Sequence, residues 1–388
     1  MKIPEVFVGK PEITAAEAET RLAAACGQVI RNLPEFTFRA QNYYSAGGRY
    51  PSRALGDYTD NDWAHGFFPG QVWLAYQRSG NETLKYAGLI HAEHFLQRVE
   101  SGQGMDNHDL GFLYTPSCVA AYKLTGSKRA RRAAILAADR LMERFQPVGG
   151  FFQAWGAMGA ADDYRYIIDC LLNLPLLYWA SAETGDPRYA ERAAIHTETC
   201  ADNSFRADGS TYHTVFMDPE TGGFVRGRTC QGYADDSFWA RGQSWAVYGF
   251  ALAYRALKKP KYLERFRAAA EFFVSKLPED LVPYWDMVFT DGDEPRDSSA
   301  DAIAACGLLE ASSFAPECAS IARKILKSLA DRCAAPSTDG GGLLLHGTYS
   351  KRSPFNTCAP EGVDECLTWG DYFYFEALSR MAGLEAFW

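Results

Sequence analysis

Two kinds of apolar pattern alternate along the chain. In the first, apolar residues recur at spacings of three and four between charged ones, as in Arg129-Ala-Arg-Arg-Ala-Ala-Ile-Leu-Ala-Ala-Asp-Arg-Leu. That spacing predicts a surface helix with one buried stripe. In the second, as in Ile167-Ile-Asp-Cys-Leu-Leu-Asn-Leu-Pro-Leu-Leu-Tyr, the segment is apolar almost all round, which predicts a helix enclosed by protein. Charged segments begin near Thr14, Glu82, Ser127, Asp186, Lys259 and Pro316, and apolar ones near His65, Asp109, Arg165, Asp236, Ser298 and Thr368. Short turns join them, and Arg78-Ser-Gly-Asn-Glu, Leu124-Thr-Gly-Ser-Lys and Glu183-Thr-Gly-Asp-Pro each place glycine where a left-handed residue ends a helix.

Six exposed helices alternating with six enclosed ones close most simply into a double ring. The expected fold is therefore all-α, an (α/α)6 barrel formed as one domain over residues 1–388. Strict alternation makes all six inner helices run the same way, so their N-terminal ends share one mouth. Long glycine-rich connections, Gly149–Asp163, Asn203–Tyr233, Leu281–Asp297 and Thr338–Asp364, precede inner helices and should cover that mouth. Within them, Asp218 to Gly223 reads as the turn of a small hairpin.

The mouth collects unusual residues. Asp235-Asp-Ser-Phe-Trp-Ala-Arg-Gly-Gln-Ser-Trp-Ala-Val-Tyr opens an inner helix with acceptable caps, yet Arg241 stands in the first turns, where a cation opposes the helix dipole. Arg241, Trp245 and Tyr248 share a helical face, and a guanidinium beside aromatics suits a sugar ring bearing a carboxylate. An aromatic core helix with one paired arginine fits the same segment. Asp169 lies in an apolar run, where burial would raise its pKa toward that of a usable general acid; a structural pair with Arg165, four residues earlier, is the alternative. Asp109, beside His108, reads either as a cap or as a second carboxylate facing Asp169 across a cavity walled by Trp63, Trp155, Trp239 and Trp245. Paired acids with aromatic walls suit chemistry on sugars. His213 and Gln231 fall in a covering loop, where polar side chains can read hydroxyls.

Composition narrows the partners. A formal charge of −9 disfavours nucleic acid and anionic membranes. No run approaches a membrane span and the start has no apolar leader, so a cytoplasmic location is expected. The ten cysteines are scattered singly, as reduced thiols are. His91 and His94 flank Glu93 without forming a zinc-binding motif, and no phosphate loop or Gly-x-Ser-x-Gly elbow occurs, so no metal and no cofactor are expected.

Several stretches in order along nearly the whole chain resemble the unsaturated glucuronyl hydrolases, glycoside hydrolase family 88. They are Asn107-His-Asp-Leu-Gly-Phe-Leu-Tyr, Tyr166-Ile-Ile-Asp-Cys-Leu-Leu-Asn-Leu-Pro, Gln231-Gly-Tyr-Ala-Asp-Asp-Ser-Phe-Trp-Ala-Arg-Gly-Gln-Ser-Trp, Pro283-Tyr-Trp-Asp, Glu294-Pro-Arg-Asp-Ser-Ser-Ala and Val363-Asp-Glu-Cys-Leu-Thr-Trp-Gly-Asp-Tyr-Phe. The resemblance implies release of a 4,5-unsaturated uronic acid from the non-reducing end of lyase-generated oligosaccharides. Asp169 would protonate C4 and draw a proton from the water that adds at C5. Asp109 matches the second essential aspartate, which holds ring hydroxyls and helps set the acid's protonation. His108, Trp63, Trp155, His213, Gln231, Arg241 and Trp245 match substrate-contacting positions. Ser350, Lys351, Arg352 and Ser353, with Arg226 and Arg228, are the expected contacts to a sulfated leaving sugar, which favours glycosaminoglycan disaccharides. An unsaturated rhamnogalacturonyl hydrolase, a sugar epimerase and a non-catalytic carbohydrate-binding toroid are the alternatives.

Overall fold

The computed structural model describes residues 3–37, 40–41, 43–44, 55–56, 63–339, 341–358 and 362–388. The outer ring is α1 (Ala15–Phe36), α3 (Glu82–Ser101), α6 (Lys128–Glu143), α8 (Pro187–Asn203), α10 (Pro260–Ser275) and α12 (Cys318–Arg332). The inner ring is α2 (Phe67–Ser79), the paired segments α4 (Leu110–Tyr114) and α5 (Ala120–Thr125), α7 (Pro175–Thr184), α9 (Ala240–Leu257), α11 (Ser298–Ala311) and α13 (Thr368–Met381). Successive inner helices pack side by side, and α13 returns to pack on α2, closing the (α/α)6 barrel. Most inner helices lie within a few residues of the expected positions. Their enclosure is literal: in α9 every residue from Ala240 to Ala253 is buried.

The turn chemistry follows the glycines. Gly80, Gly126 and Gly185 cap α2, α5 and α7 at φ of 66°, 71° and 78°. No helix among the described residues is long and apolar enough to cross a membrane. All ten cysteines are unpaired thiols.

Three inner helices differ from the sequence reading, and each difference shapes the mouth. The helix expected from Arg165 is instead a strand (Arg165–Ile167), a 3₁₀ turn (Ile168–Leu172) and then α7. Pro175 explains the break, since it can only begin a helix, and Tyr166-Ile167 pairs with Thr214–Met217, the first strand of the hairpin. The hairpin itself forms as expected, with Asp218 accepting the amides of Glu220 and Thr221 in its turn. The helix expected from Asp236 begins at Ala240, without a side-chain cap. Asp235 is no cap: it accepts the Thr229 amide and pairs with Arg228. The helix from Asp109 is interrupted by a π-turn over Thr115–Val119 that contains Pro116.

Candidate active site

The N-terminal ends of the inner helices surround a cavity of about 370 Å³. It is lined by Trp63, Asp109, Trp155, Ile167, Asp169, His213, Cys230, Gln231, Arg241, Tyr349, Ser350, Thr357 and Cys358. Eight of the sequence-derived candidates are among them. His108, Trp245, Lys351, Arg352 and Ser353 are not.

Asp169 sits in the 3₁₀ turn and is 7% exposed. Burial pushes its carboxyl up to about 7, against the Arg241 charge and the Trp245 indole, which pull it down. Its Oδ1 has no hydrogen-bond partner among the described residues. The expected alternative, a pair with Arg165, does not form, because strand geometry turns Arg165 away. That guanidinium pairs with Asp163 at 3.1 Å and stacks on Trp155 at 4.8 Å.

Asp109 stands at the start of α4 but makes no side-chain capping bond. Asn173 ties it to the Asp169 turn: Asn173 Oδ1 accepts the Phe112 amide at 2.8 Å, and its Nδ2 donates to Asp109 Oδ1 at 3.5 Å. Only glycine at 111 permits this approach, because a Cβ there would lie 2.3 Å from Asn173 Cα. The two carboxyls thus reach one cavity from adjacent segments.

Arg241 is 1% exposed. Its Nη1 donates to Asp297 Oδ2 at 2.8 Å and to the Thr348 carbonyl at 2.7 Å, and its Nη2 donates to the Tyr349 carbonyl at 2.6 Å. Asp297 also caps α11, accepting the Ser299 amide. The buried ion pair is what permits a cation in the first turn of α9. Three of the five guanidinium N–H groups are used in these bonds.

His213 has a defined tautomer. Its Nδ1 accepts the amides of Cys230 and Gln231, at 3.1 and 3.3 Å, so the proton resides on Nε2, which has no partner among the described residues. Burial, aided by Arg241, lowers its pKa to about 3, and the ring lies on Trp239 at 4.2 Å. A neutral N–H donor therefore faces the cavity. Gln231 donates to the Tyr349 carbonyl at 3.1 Å, linking the covering loops. Trp63 stacks on Trp369 at 4.7 Å and forms one wall, with Trp155 as another.

The remaining candidates are displaced for physical reasons. Trp245 is fully buried against Phe112 and Phe373, so it forms the apolar floor behind Asp169. His108 is fully buried, with Nε2 3.3 Å from Asp109 Oδ1, and burial holds it neutral. Lys351 pairs with Glu294 at 2.8 Å. Ser353 donates to the Tyr233 carbonyl and accepts two amides of its own turn. Arg352 is exposed. Asp371, in the first turn of α13, accepts the amides of Leu343 and Leu344. Tyr349 opens the stretch expected to meet the leaving sugar, and it lines the cavity. Ile167, Cys230, Thr357 and Cys358 also line it and carry no sequence signal.

A second cavity of about 460 Å³ shares Trp155, Cys230 and Thr357 with the first and adds Arg165, Arg226 and Arg228 together with Asp162 and Asp235. A cavity lined by both signs of charge therefore adjoins the carboxylate pair.

A closed helical toroid with an acid kept protonated beside a second carboxylate, between tryptophan walls, defines a glycosidase. The profile of Glycosyl Hydrolase Family 88 matches residues 44–376, and the chain belongs to that family. It is 43% identical over 392 residues to the unsaturated chondroitin disaccharide hydrolase of Streptococcus pyogenes serotype M1, covering 98% of this chain and 95% of that protein. It is 39% identical over 377 residues to the unsaturated glucuronyl hydrolase of Bacillus sp. strain GL1, covering 94% and 97%. The crystal structure of an unsaturated glucuronyl hydrolase from Streptococcus agalactiae superposes with a TM-score of 0.92 at 39% identity and full coverage of both chains. A mutant of that enzyme has been crystallised with dGlcA-GalNAc6S, with a TM-score of 0.84 at 36% identity and full coverage of both.

Proposed function

We propose that residues 1–388 act as one catalytic domain that releases the 4,5-unsaturated uronic acid from glycosaminoglycan disaccharides left by polysaccharide lyases. The observation that carries this reading is Asp169, buried, protonated near neutrality and facing a cavity with a second carboxylate. Its proton passes to C4 of the enol ether, and water adds at C5 while giving a proton back to Asp169. The C5 hemiketal then opens, C1 becomes a hemiacetal bearing the leaving sugar, and its collapse to an aldehyde frees that sugar. The glycosidic oxygen is never protonated directly, so the spacing rule for retaining and inverting carboxylates does not apply.

In this reading Asp109 holds ring hydroxyls, and Arg241 and the His213 Nε2–H supply donors to the uronate. Gln231, Trp63 and Trp155 complete the contacts, while His108 and Trp245 support the two acids from behind. The dGlcA-GalNAc6S complex of the S. agalactiae mutant supports the choice of substrate class. A cytoplasmic location is part of the same proposal, supported by ten unpaired cysteines.

The test is turnover of lyase-generated chondroitin disaccharides, read as loss of ultraviolet absorbance of the conjugated enol ether. Wild type consumes the chromophore, with activity falling as pH rises through about 7, where Asp169 loses its proton. Asp169→Asn lowers the rate about 10²- to 10⁴-fold; full activity in that variant would refute the assignment. Sulfate on the leaving sugar is read by the Ser350–Ser353 loop together with Arg226 and Arg228. Lys351→Ala should lower the ratio of sulfated to unsulfated turnover, and an unchanged ratio removes the loop from that role.

A further inference from the structure

Asp109 and Trp155 lie on two loops that converge on a single buried guanidinium, Arg144, at the C-terminal end of α6. Its side chain is 3% exposed. Its Nη1 donates to Asp106, three residues before Asp109, and its Nε donates at 2.8 Å to the carbonyl of Gln153, two residues before Trp155. The Gln153 amide returns a bond to the Arg144 carbonyl at 2.9 Å, and the His108 amide joins the two loops by donating to Ala154 at 3.0 Å. The Gln153 side chain carries the bracing onward, donating to the carbonyls of Trp155 and Ala157. A helix end alone would not require this, since solvent satisfies most last-turn residues.

Arg144 Nη2 is buried and has no hydrogen-bond partner among the described residues. The groups that share its surroundings are Asp106, Asp109, Cys170 and neutral His108, with the Arg140–Glu143 pair lining the same outer cavity. Cys170 in turn adjoins Asp169, which also feels Arg241. Burial pulls the guanidinium down, and Asp106 and Asp109 hold it up.

We infer that Arg144 is a positioning residue of the reaction: it clamps the Asp109 and Trp155 loops to each other and sets a fixed positive charge beside the Asp109 carboxyl. This rests on the proposed function, in which Asp109 acts as a carboxylate. The test compares wild type, Arg144→Met and Arg144→Lys on the same chondroitin disaccharide across pH. Arg144→Met should lower kcat/KM by about tenfold or more, as misplacement of site groups does. It should also move the acid limb of kcat/KM upward by about one pH unit, because Asp109 then protonates more readily. Arg144→Lys keeps the charge but cannot span both loops, so its acid limb should stay at the wild-type position while KM remains raised. An unshifted acid limb in a folded Arg144→Met enzyme, or equal shifts in Met and Lys variants, overturns the inference. Absence of turnover in the wild type would overturn the functional reading instead, so the two failures are distinct.

Discussion

A carboxyl that holds its proton at neutral pH is a burden on the fold that carries it. Asp169 releases its proton near pH 4 in the unfolded chain and near pH 7 in the folded one. The folded state therefore binds the extra proton, and stability falls as pH rises through that window, by up to about 4 kcal/mol. Asp169→Asn removes the titration and keeps the shape. It should raise the unfolding free energy at pH 7.5 while leaving it almost unchanged at pH 4, as measured by urea denaturation at the two pH values. Equal stability at both would mean that the carboxyl is hydrated. Asp169 could be singled out from the sequence because an acid in an apolar run is conspicuous. His108 and Trp245 were misplaced for the converse reason: spacing tells which helical face a residue occupies, not how deep that face lies. Both are fully buried.

Among the elements, the contact between the start of α4 and the Asp169 turn makes the site. Gly111 stands where backbone meets backbone, so a methyl group added there cannot be absorbed by a side chain moving aside. Gly111→Ala should destabilise the protein by about 1–3 kcal/mol, the usual cost of overpacking. It should also lower kcat by about tenfold or more as the carboxyls separate. Thermal unfolding and disaccharide turnover check both; an enzyme of normal activity would show that the carboxyl geometry does not depend on this contact. Helix periodicity located the inner elements but missed this segment. A short apolar run fits a helix or a buried strand equally well, and Pro175 with Tyr166-Ile167 was the local signal for a strand and turn.

For the whole molecule, the amino-acid sequence by itself determined the double ring. Alternating amphipathic and enclosed helices, with glycines able to adopt positive φ at the turns, have few ways to cover every apolar face, and closure on α2 is the simplest. It also determined that the inner helices point their N-termini one way, and so where most of the candidate residues would gather. Only the tertiary structure decided how each gathered residue is used. Arg241 was legible as a cation against a helix dipole, but its partner Asp297 lies on the next inner helix and its carbonyl acceptors on a covering loop. Nothing in the sequence singles out Arg144 at the end of an outer helix; only the fold brings the loops of Asp106 and Gln153 to it. Periodicity is a local property, set by the turn of the helix. Burial, ion pairing and proton affinity depend on neighbours far apart in the chain, and those exist only once the ring has closed.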